Sequence, residues 1–174
     1  MKTSQHRIFV ILRSAVATLA AAVVVAVATP LHSGPQAAAY VNPATGSPYA
    51  SGVIRAPDIP ERNWMPGHRG VDLAAAPGAT VRAAGEGEVA FVGTVVGVPT
   101  VSIVHPDGIR TTYQPVHASV KKGDRVDEGS PIGTLGHPFG RNIGLQWGAL
   151  IAKDTYINPL SLLAEPRIRL KPVD

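Results

Sequence analysis

Short apolar segments separated by glycine-containing turns are the feature that most limits what this chain can fold into. Six segments after residue 60 have the length and the β-branched content of strands. They cover residues 80–84, 88–93, 100–105, 109–114, 131–136 and 145–151. Turn sequences such as GEGE, HPDG and KKGD lie between them, and only NPLSLLAE near the end suggests a helical turn. This spacing predicts an all-β domain, a small antiparallel β-barrel or sandwich.

The first 39 residues differ from the rest of the chain. Their basic residues come first, at Lys2, Arg7 and Arg13. An uncharged apolar run, residues 14–30, follows, and then small residues stand at Ala37 and Ala39. This order is typical of a secretory signal cleaved before Tyr40 and predicts a secreted or cell-envelope protein. An earlier small-residue cleavage site and an uncleaved membrane tether are the alternatives.

Composition divides the remaining residues into three parts. Residues 40–60 are rich in Pro, Gly, Ser and Ala, which predicts an extended linker without a core. Residues 61–164 carry the strand pattern and form the predicted β domain. Residues 165–174 are predicted to be a loosely held C-terminal tail.

Charge and cysteine content exclude several classes of function. The formal net charge of +4 falls to +1 without residues 1–39, so the high isoelectric point does not indicate a nucleic-acid partner. Cysteine is absent, which excludes disulfides, thiolate metal ligands and a lipid anchor on cysteine. An ordinary hydrophobic core must therefore hold the domain together.

Two stretches of the chain echo each other. PGATVRAAGEGEVAFVG and KGDRVDEGSPIGTLG both run from a glycine to a valine, a glycine-bearing turn and a strand. Such paired motifs occur in lipoyl and biotinyl carriers, in glucose-permease phosphocarrier domains and in lysostaphin-type peptidases. The carriers need a lysine at a hairpin tip and the phosphocarriers need paired histidines. The echo therefore narrows the fold but leaves the function open.

Several sequence blocks in order are more specific than the echo. They are HRGVDLAAAPGATVRAAGEGEV, TTYQPVHASVKKGDRVDEGSPIGTLG and LQWGAL. Together they resemble the lysostaphin/LytM family of zinc metallopeptidases, which cut peptide bonds in bacterial peptidoglycan. The resemblance implies a zinc site made of H-x-x-x-D and the last histidine of an H-x-H strand. It also implies two further histidines that assist catalysis, one of them in a Y-x-H segment.

Only part of this set is present. His68 and Asp72 match the first two zinc ligands, and Tyr113 matches the tyrosine of Y-x-H. Pro115 stands where the resemblance implies a catalytic histidine, and Gly144 and Gln146 replace the two histidines of H-x-H. Catalytic zinc generally takes three protein ligands and an open position for water. A neutral Gln amide is a poor zinc ligand beside imidazole.

From this set we predict a degenerate zinc site with His68 and Asp72 side by side at a groove and Gln146 opposite them. Tyr113, Gln146 and Trp147 are the predicted binding residues. Three other histidines, His105, His117 and His137, are candidates to complete the site, and His137 is the strongest candidate because its loop precedes the strand of Gln146. The His68–Asp72 pair also has a purely structural reading, as a hydrogen bond that holds the first core strand.

Two functions follow from the resemblance. The first is an exported binding or regulatory module that docks on peptidoglycan or on a wall hydrolase without cutting. The alternative is a zinc metalloendopeptidase that cleaves peptidoglycan peptides with an altered ligand set. The missing histidines favour the first function, and His68, Asp72 and the spare histidines favour the second.

Export is the prediction that the N-terminal sequence itself generates. A fusion of residues 1–45 to a reporter that is active only outside the cytoplasm should be active, because the basic and apolar regions direct export. A matched fusion in which residues 14–30 carry two added aspartates should be inactive. If both fusions are inactive, the prediction is refuted. Mass spectrometry of the mature protein would test cleavage before Tyr40.

Overall fold

The computed structural model describes residues 40–138 and 143–165, and its strands lie where the β-branched segments are. The strands are β1 (Val53–Arg55), β2 (Val71–Leu73), β3 (Thr80–Arg82), β4 (Gly87–Val95), β5 (Val98–Val104), β6 (Arg110–Gln114), β7 (Val116–Ala118), β8 (Arg125–Val126), β9 (Pro131–Leu135), β10 (Leu145–Ile151) and β11 (Thr155–Ile157). All six predicted segments are strands, and their ends agree to within two residues. The sequence pattern missed five strands of two or three residues, which are too short to show an alternation: β1, β2, β7, β8 and β11.

The strands form two antiparallel sheets. The larger sheet has the order β1-β2-β10-β6-β5-β4-β8, and β11 also pairs with β10. The smaller sheet has the order β3-β9-β7. The predicted all-β antiparallel architecture is therefore confirmed.

Side chains of both sheets meet in one apolar core. The large sheet contributes Leu73, Ile103, Tyr113, Leu145 and Trp147, and the small sheet contributes Val81, Val116, Ile132 and Leu135. Trp147 and Tyr113 are cross-strand partners, and both are fully buried. Because side chains alternate along a strand, the residues next to these two point to the opposite face of the large sheet.

Residues 40–60 are not an extended linker, so this prediction is corrected. Tyr40 is only 6% exposed and packs in the core, and Asn42 is fully buried. The amide of Val41 donates to the carbonyl of Ala84 at 2.7 Å, and β1 pairs with β2. The Pro, Gly and Ser of this segment form turns that lie on the domain, such as the turn closed by Asn42, whose Oδ1 accepts from the amide of Ala44.

The end of the described chain is a single short turn of 3₁₀ helix, Pro159–Leu162, as NPLSLLAE predicted. The side chain of Asn158 caps it by accepting from the amide of Leu160 at 3.0 Å. Within residues 40–138 and 143–165, no helix is long and apolar enough to cross a membrane. The predicted signal, residues 1–39, and all of the predicted tail except Glu165 lie outside the described residues.

The burial of Tyr40 generates a stability prediction. Tyr40→Ala should lower the free energy of unfolding by about 3 kcal/mol, because it removes a buried ring and the hydrogen bond from its hydroxyl to Asp107. Tyr49→Ala is the matched control, since Tyr49 is 44% exposed. Urea unfolding of the full chain measures both. Equal, small effects of the two substitutions would show that residues 40–42 do act as a linker.

Candidate functional site

His68 lies just before β2, and Asp72 lies within this strand, with their side chains in contact. The backbone of His68 pairs with that of Asp58 through two hydrogen bonds, which fix His68 just before the strand. His68 Nε2 lies 3.1 Å from Asp72 Oδ1, and His68 Nδ1 lies 2.9 Å from the carbonyl oxygen of Ala56. Both side chains are buried, Asp72 completely. The predicted adjacency of the pair is thus present.

The hydrogen bonds of His68 restrict its protonation. The carbonyl of Ala56 can only accept, so Nδ1 must carry a proton. A neutral His68 would then turn the lone pair of Nε2 toward the carboxylate oxygen of Asp72, and two acceptors repel each other. The contact is favourable when a proton or another cation lies between these two atoms. A histidine that binds a metal through one ring nitrogen usually donates its other N–H to such a backbone carbonyl, which orients the ring.

Asp72 carries a further polar atom without a partner. Its Oδ2 is buried and has no hydrogen-bond partner within the described part of the chain. A buried carboxylate oxygen without a donor is costly. Together with the lone pair of His68 Nε2, this oxygen fits two ligands of a divalent cation.

Gln146 lies on β10 directly beside this pair. It is the cross-strand partner of Asp72 on one side and of Gln114 on β6 on the other. Its amide covers Gly70, where an added Cβ would lie 2.5 Å from Gln146 Nε2. Gly70 therefore leaves room for the Gln146 side chain, and the predicted place of Gln146 opposite Asp72 is confirmed.

Position 144 cannot supply the first histidine of an H-x-H strand. Gly144 precedes β10, and its φ of +82° belongs to the left-handed region, which side chains rarely adopt. A Cβ there would lie 2.2 Å from the carbonyl oxygen of Leu73. The rule that residues i and i+2 share a strand face therefore does not apply to Gly144 and Gln146, because only Gln146 is in the strand.

Position 115 is also closed to proton transfer. Pro115 lies between β6 and β7 and is buried, and its carbonyl accepts from the amide of Gly136 at 2.9 Å. A proline side chain neither donates nor accepts a proton. Neither of the two positions at which the resemblance implies catalytic histidines can therefore handle a proton.

Tyr113 and Trp147 are not binding residues, so this prediction is wrong. Both point into the core, on the face opposite to Gln146. The Tyr113 hydroxyl accepts from the amide of Ala84 at 2.9 Å and lies 2.8 Å from Thr111 Oγ1. Burial raises the pKa of Tyr113 to about 12, so it stays neutral. The alternation of β10 explains the error, because a groove-facing residue 146 places residue 147 in the core.

The remaining histidines do not complete the site within the described residues. His105 is buried, and its nitrogens lie 2.6 Å from the carbonyl of Glu86 and 2.8 Å from Thr111 Oγ1. Burial lowers the pKa of His105, which fits a neutral structural residue. His117 and His137 are exposed. In residues 40–138 and 143–165, no three His, Cys, Asp or Glu side chains lie close enough to hold a metal ion.

The donor set therefore does not fit a catalytic zinc centre. His68 and Asp72 fit two ligands, and the nearest third donor is the neutral amide of Gln146.

A groove runs over the open face of the large sheet beside the pair. Its volume is about 510 Å³, and its floor is formed by side chains of β5, β6 and β10 that alternate with the core residues. Gln146 lies at one end, and the other end carries Arg110, Lys153 and Tyr156. Sequence reasoning missed the last three. The alternation of side chains along β10 indicates which residues of that strand face the groove. It does not indicate which residues of the neighbouring strands lie beside them.

Comparison with known families identifies the domain. Residues 66–159, more than half of the chain, match the model of peptidase family M23. The chain belongs to this family. Its members are typically zinc-dependent and act on peptidoglycan. The resemblance to the lysostaphin/LytM type is therefore confirmed.

The chain is also similar to individual proteins. The chain is 46% identical over 127 residues to uncharacterized proteins of Mycobacterium bovis and Mycobacterium tuberculosis, covering 70% of this chain and 51% of theirs. It thus spans about half the length of these curated relatives. Csd3 from Helicobacter pylori has a TM-score of 0.56 and 29% identity, covering 76% of this chain and 35% of Csd3.

Solved peptidases share the fold. A zinc-containing peptidase from Vibrio cholerae has a TM-score of 0.54 and 25% identity, covering 70% of this chain and 38% of that protein. The catalytic domain of lysostaphin from Staphylococcus simulans has a TM-score of 0.52 and 24% identity, covering 64% of this chain and 88% of that domain. At this identity, the lysostaphin likeness shows the fold alone.

The backbone at position 144 generates a prediction. Gly144→Ala should lower the free energy of unfolding through its left-handed φ and through the clash with Leu73. Gly78→Ala is the matched control, because Gly78 has a φ of +85° but open space around it. The clash should make Gly144→Ala more costly than the control by about 1–3 kcal/mol. Equal effects in urea unfolding would show that this position can accept a side chain.

Proposed function

We propose that this chain is an exported, peptidoglycan-associated binding or regulatory module that does not hydrolyse peptide bonds. One observation carries the proposal. The described residues bring together His68 and Asp72 but no third zinc ligand, and Pro115 and Gly144 occupy the positions of the proton-handling histidines. Catalytic zinc needs three protein ligands, and hydrolysis needs groups that move protons.

The groove supports a binding role. The groove extends from Gln146 along β6 and β10, on the face of the large sheet that is open to solvent. Binding of a wall peptide requires such a surface but no activated water. The proposed partner is peptidoglycan itself or a wall hydrolase that acts on it, and family membership supports the first.

The predicted export signal supports the same role. Peptidoglycan lies outside the cytoplasmic membrane, so a module that contacts it must cross that membrane. The basic and apolar order of residues 1–39 is the sequence feature that supports export.

A second candidate function is that of a zinc metalloendopeptidase with an altered ligand set. The geometry of His68 Nε2 and of the unpartnered Asp72 Oδ2 favours it, since both atoms suit a cation. Gln146 would then have to act as the third ligand.

Zinc content and release of peptides from purified peptidoglycan separate the two candidates. As purified, the protein should hold well under one equivalent of zinc and release no muropeptides, with or without added zinc. Gln146→His should raise the affinity for zinc, because imidazole is a stronger ligand than an amide. It should not give turnover comparable to that of an M23 endopeptidase, because Pro115 and Gly144 remain.

Sedimentation, a chelator and the variant His68→Ala serve as controls. The protein should sediment with insoluble peptidoglycan, and a chelator should not change this. His68→Ala tests any activity that appears. Release that a chelator stops and that His68→Ala abolishes would establish the endopeptidase and overturn the proposed function.

A further inference from the structure

Three cationic side chains line the groove, and none of them forms an ion pair with a carboxylate of the described residues. Arg69, Arg110 and Lys153 line it, and none of its lining residues is Asp or Glu. Within residues 40–138 and 143–165, the one ion pair is that of His68 with Asp72, so these three cations have no carboxylate within 4.0 Å there. The nearly neutral composition of the predicted mature chain makes this local excess a property of the groove.

Strand pairing brings the two guanidinium groups to one end of the groove. Tyr156 and Arg110 are the cross-strand partners of Leu150, one on each side of β10. The Arg69 guanidinium lies 5.8 Å from the centre of the Tyr156 ring. Tyr156, over which the Arg69 guanidinium lies, and Arg110 are therefore two strand spacings apart, which is about 10 Å. Lys153 belongs to the turn between β10 and β11 at the same end.

Both arginines are held in place. Arg110 Nε donates to Ser102 Oγ at 2.6 Å, and this hydroxyl donates to the carbonyl of Thr111. Arg69 Nη2 donates to the carbonyl of Met65 at 2.8 Å and also to that of Asn63. Each guanidinium has five N–H donors, so donors remain for a ligand after these bonds. A guanidinium already held in place loses less conformational entropy when it binds a carboxylate.

The rest of the groove suits an extended peptide. Gln146 lies four residues along β10 from Leu150, about 13 Å, which is the length of roughly four residues of extended chain. The Gln146 and Gln114 side chains offer amides at that end, and Gln114 Nε2 donates to Thr100 Oγ1 at 2.7 Å. Leu150 and Phe91 add apolar surface between the polar groups. A polyanion without apolar groups would leave this surface uncovered.

From this arrangement we infer that the groove selects anionic peptides and that Arg69, Arg110 and Lys153 receive their free carboxylates. The inference rests on the proposed function and gives its ligand class: a wall peptide whose carboxylates are free rather than amidated. A carboxamide has the same shape as a carboxylate, but it carries no charge and offers donors to groups that are themselves donors.

The test compares two peptides on the unmodified protein. One is a fluorescein-labelled tetrapeptide with a γ-linked glutamate and a C-terminal D-alanine, and its counterpart has both carboxylates as carboxamides. Fluorescence anisotropy should give an affinity at least tenfold higher for the carboxylate form, since each charge-assisted contact contributes about that factor. The preference should shrink as salt concentration rises. Equal affinities would overturn the inference, and no variant is needed to see this.

Substitutions locate the effect. Arg110→Gln and Arg69→Gln should each reduce the preference for the carboxylate form several-fold, and Arg110→Lys should restore part of it. Arg125→Gln is the matched control, since it removes the same charge from exposed β8, outside the groove. A loss of preference in Arg125→Gln equal to that in Arg110→Gln would show that only net charge matters and would contradict the inference. Thermal unfolding checks that each variant is folded.

Sedimentation with insoluble peptidoglycan separates the inference from the function on which it rests. Sedimentation without a carboxylate preference would overturn the inference and keep the proposed function. Failure of the unmodified protein to sediment, together with no binding of either peptide, would overturn both.

Discussion

β10 is hydrogen-bonded to β2 on one side and to β6 on the other, and this double pairing decides which side chains can meet at the site. It places Gln146 in one row with Asp72, and it places Trp147 in the next row with Tyr113. Because side chains alternate, the first row faces the groove and the second fills the core. A slip of one residue would turn Trp147 to solvent and bury Gln146, at a cost of several kcal/mol. The core therefore fixes the composition of the groove.

Asp72 places a carboxyl group where a charge is expensive. Its carboxylate is fully buried, and His68 is its hydrogen-bond partner. A charge in such a place is stable only if an opposite charge accompanies it, which a protonated imidazole or a bound cation would supply. The same atoms can therefore form either a structural hydrogen bond or part of a metal site. The third donor beside them distinguishes these two roles. Gln146 supplies an amide there, which hydrogen-bonds well but binds zinc weakly.

Sequence reasoning succeeded where the signal was local. The β-branched segments predicted the five longest strands and β3, and the motif spacing predicted that His68, Asp72 and Gln146 lie together. It failed where contacts are long-range. The turn-forming composition of residues 40–60 hid the packing of Tyr40 in the core. Arg69, Arg110 and Lys153 are separated by about forty residues each, and only the pairing of β10 with β6 and β11 brings them together.

The positions that lack the family's catalytic histidines differ in their place in the fold from those that line the groove. Pro115 lies between two strands and Gly144 lies just before one, whereas Gln114, Gln146 and Arg110 lie within strands. Changes between strands leave the pairing register intact, because ladder hydrogen bonds and core side chains set it. A chain of this fold can therefore lack the groups that move protons and still present a peptide-sized groove. The positions of the proton-handling histidines and most of the groove thus belong to separate parts of the fold, so the groove can persist where those histidines are absent.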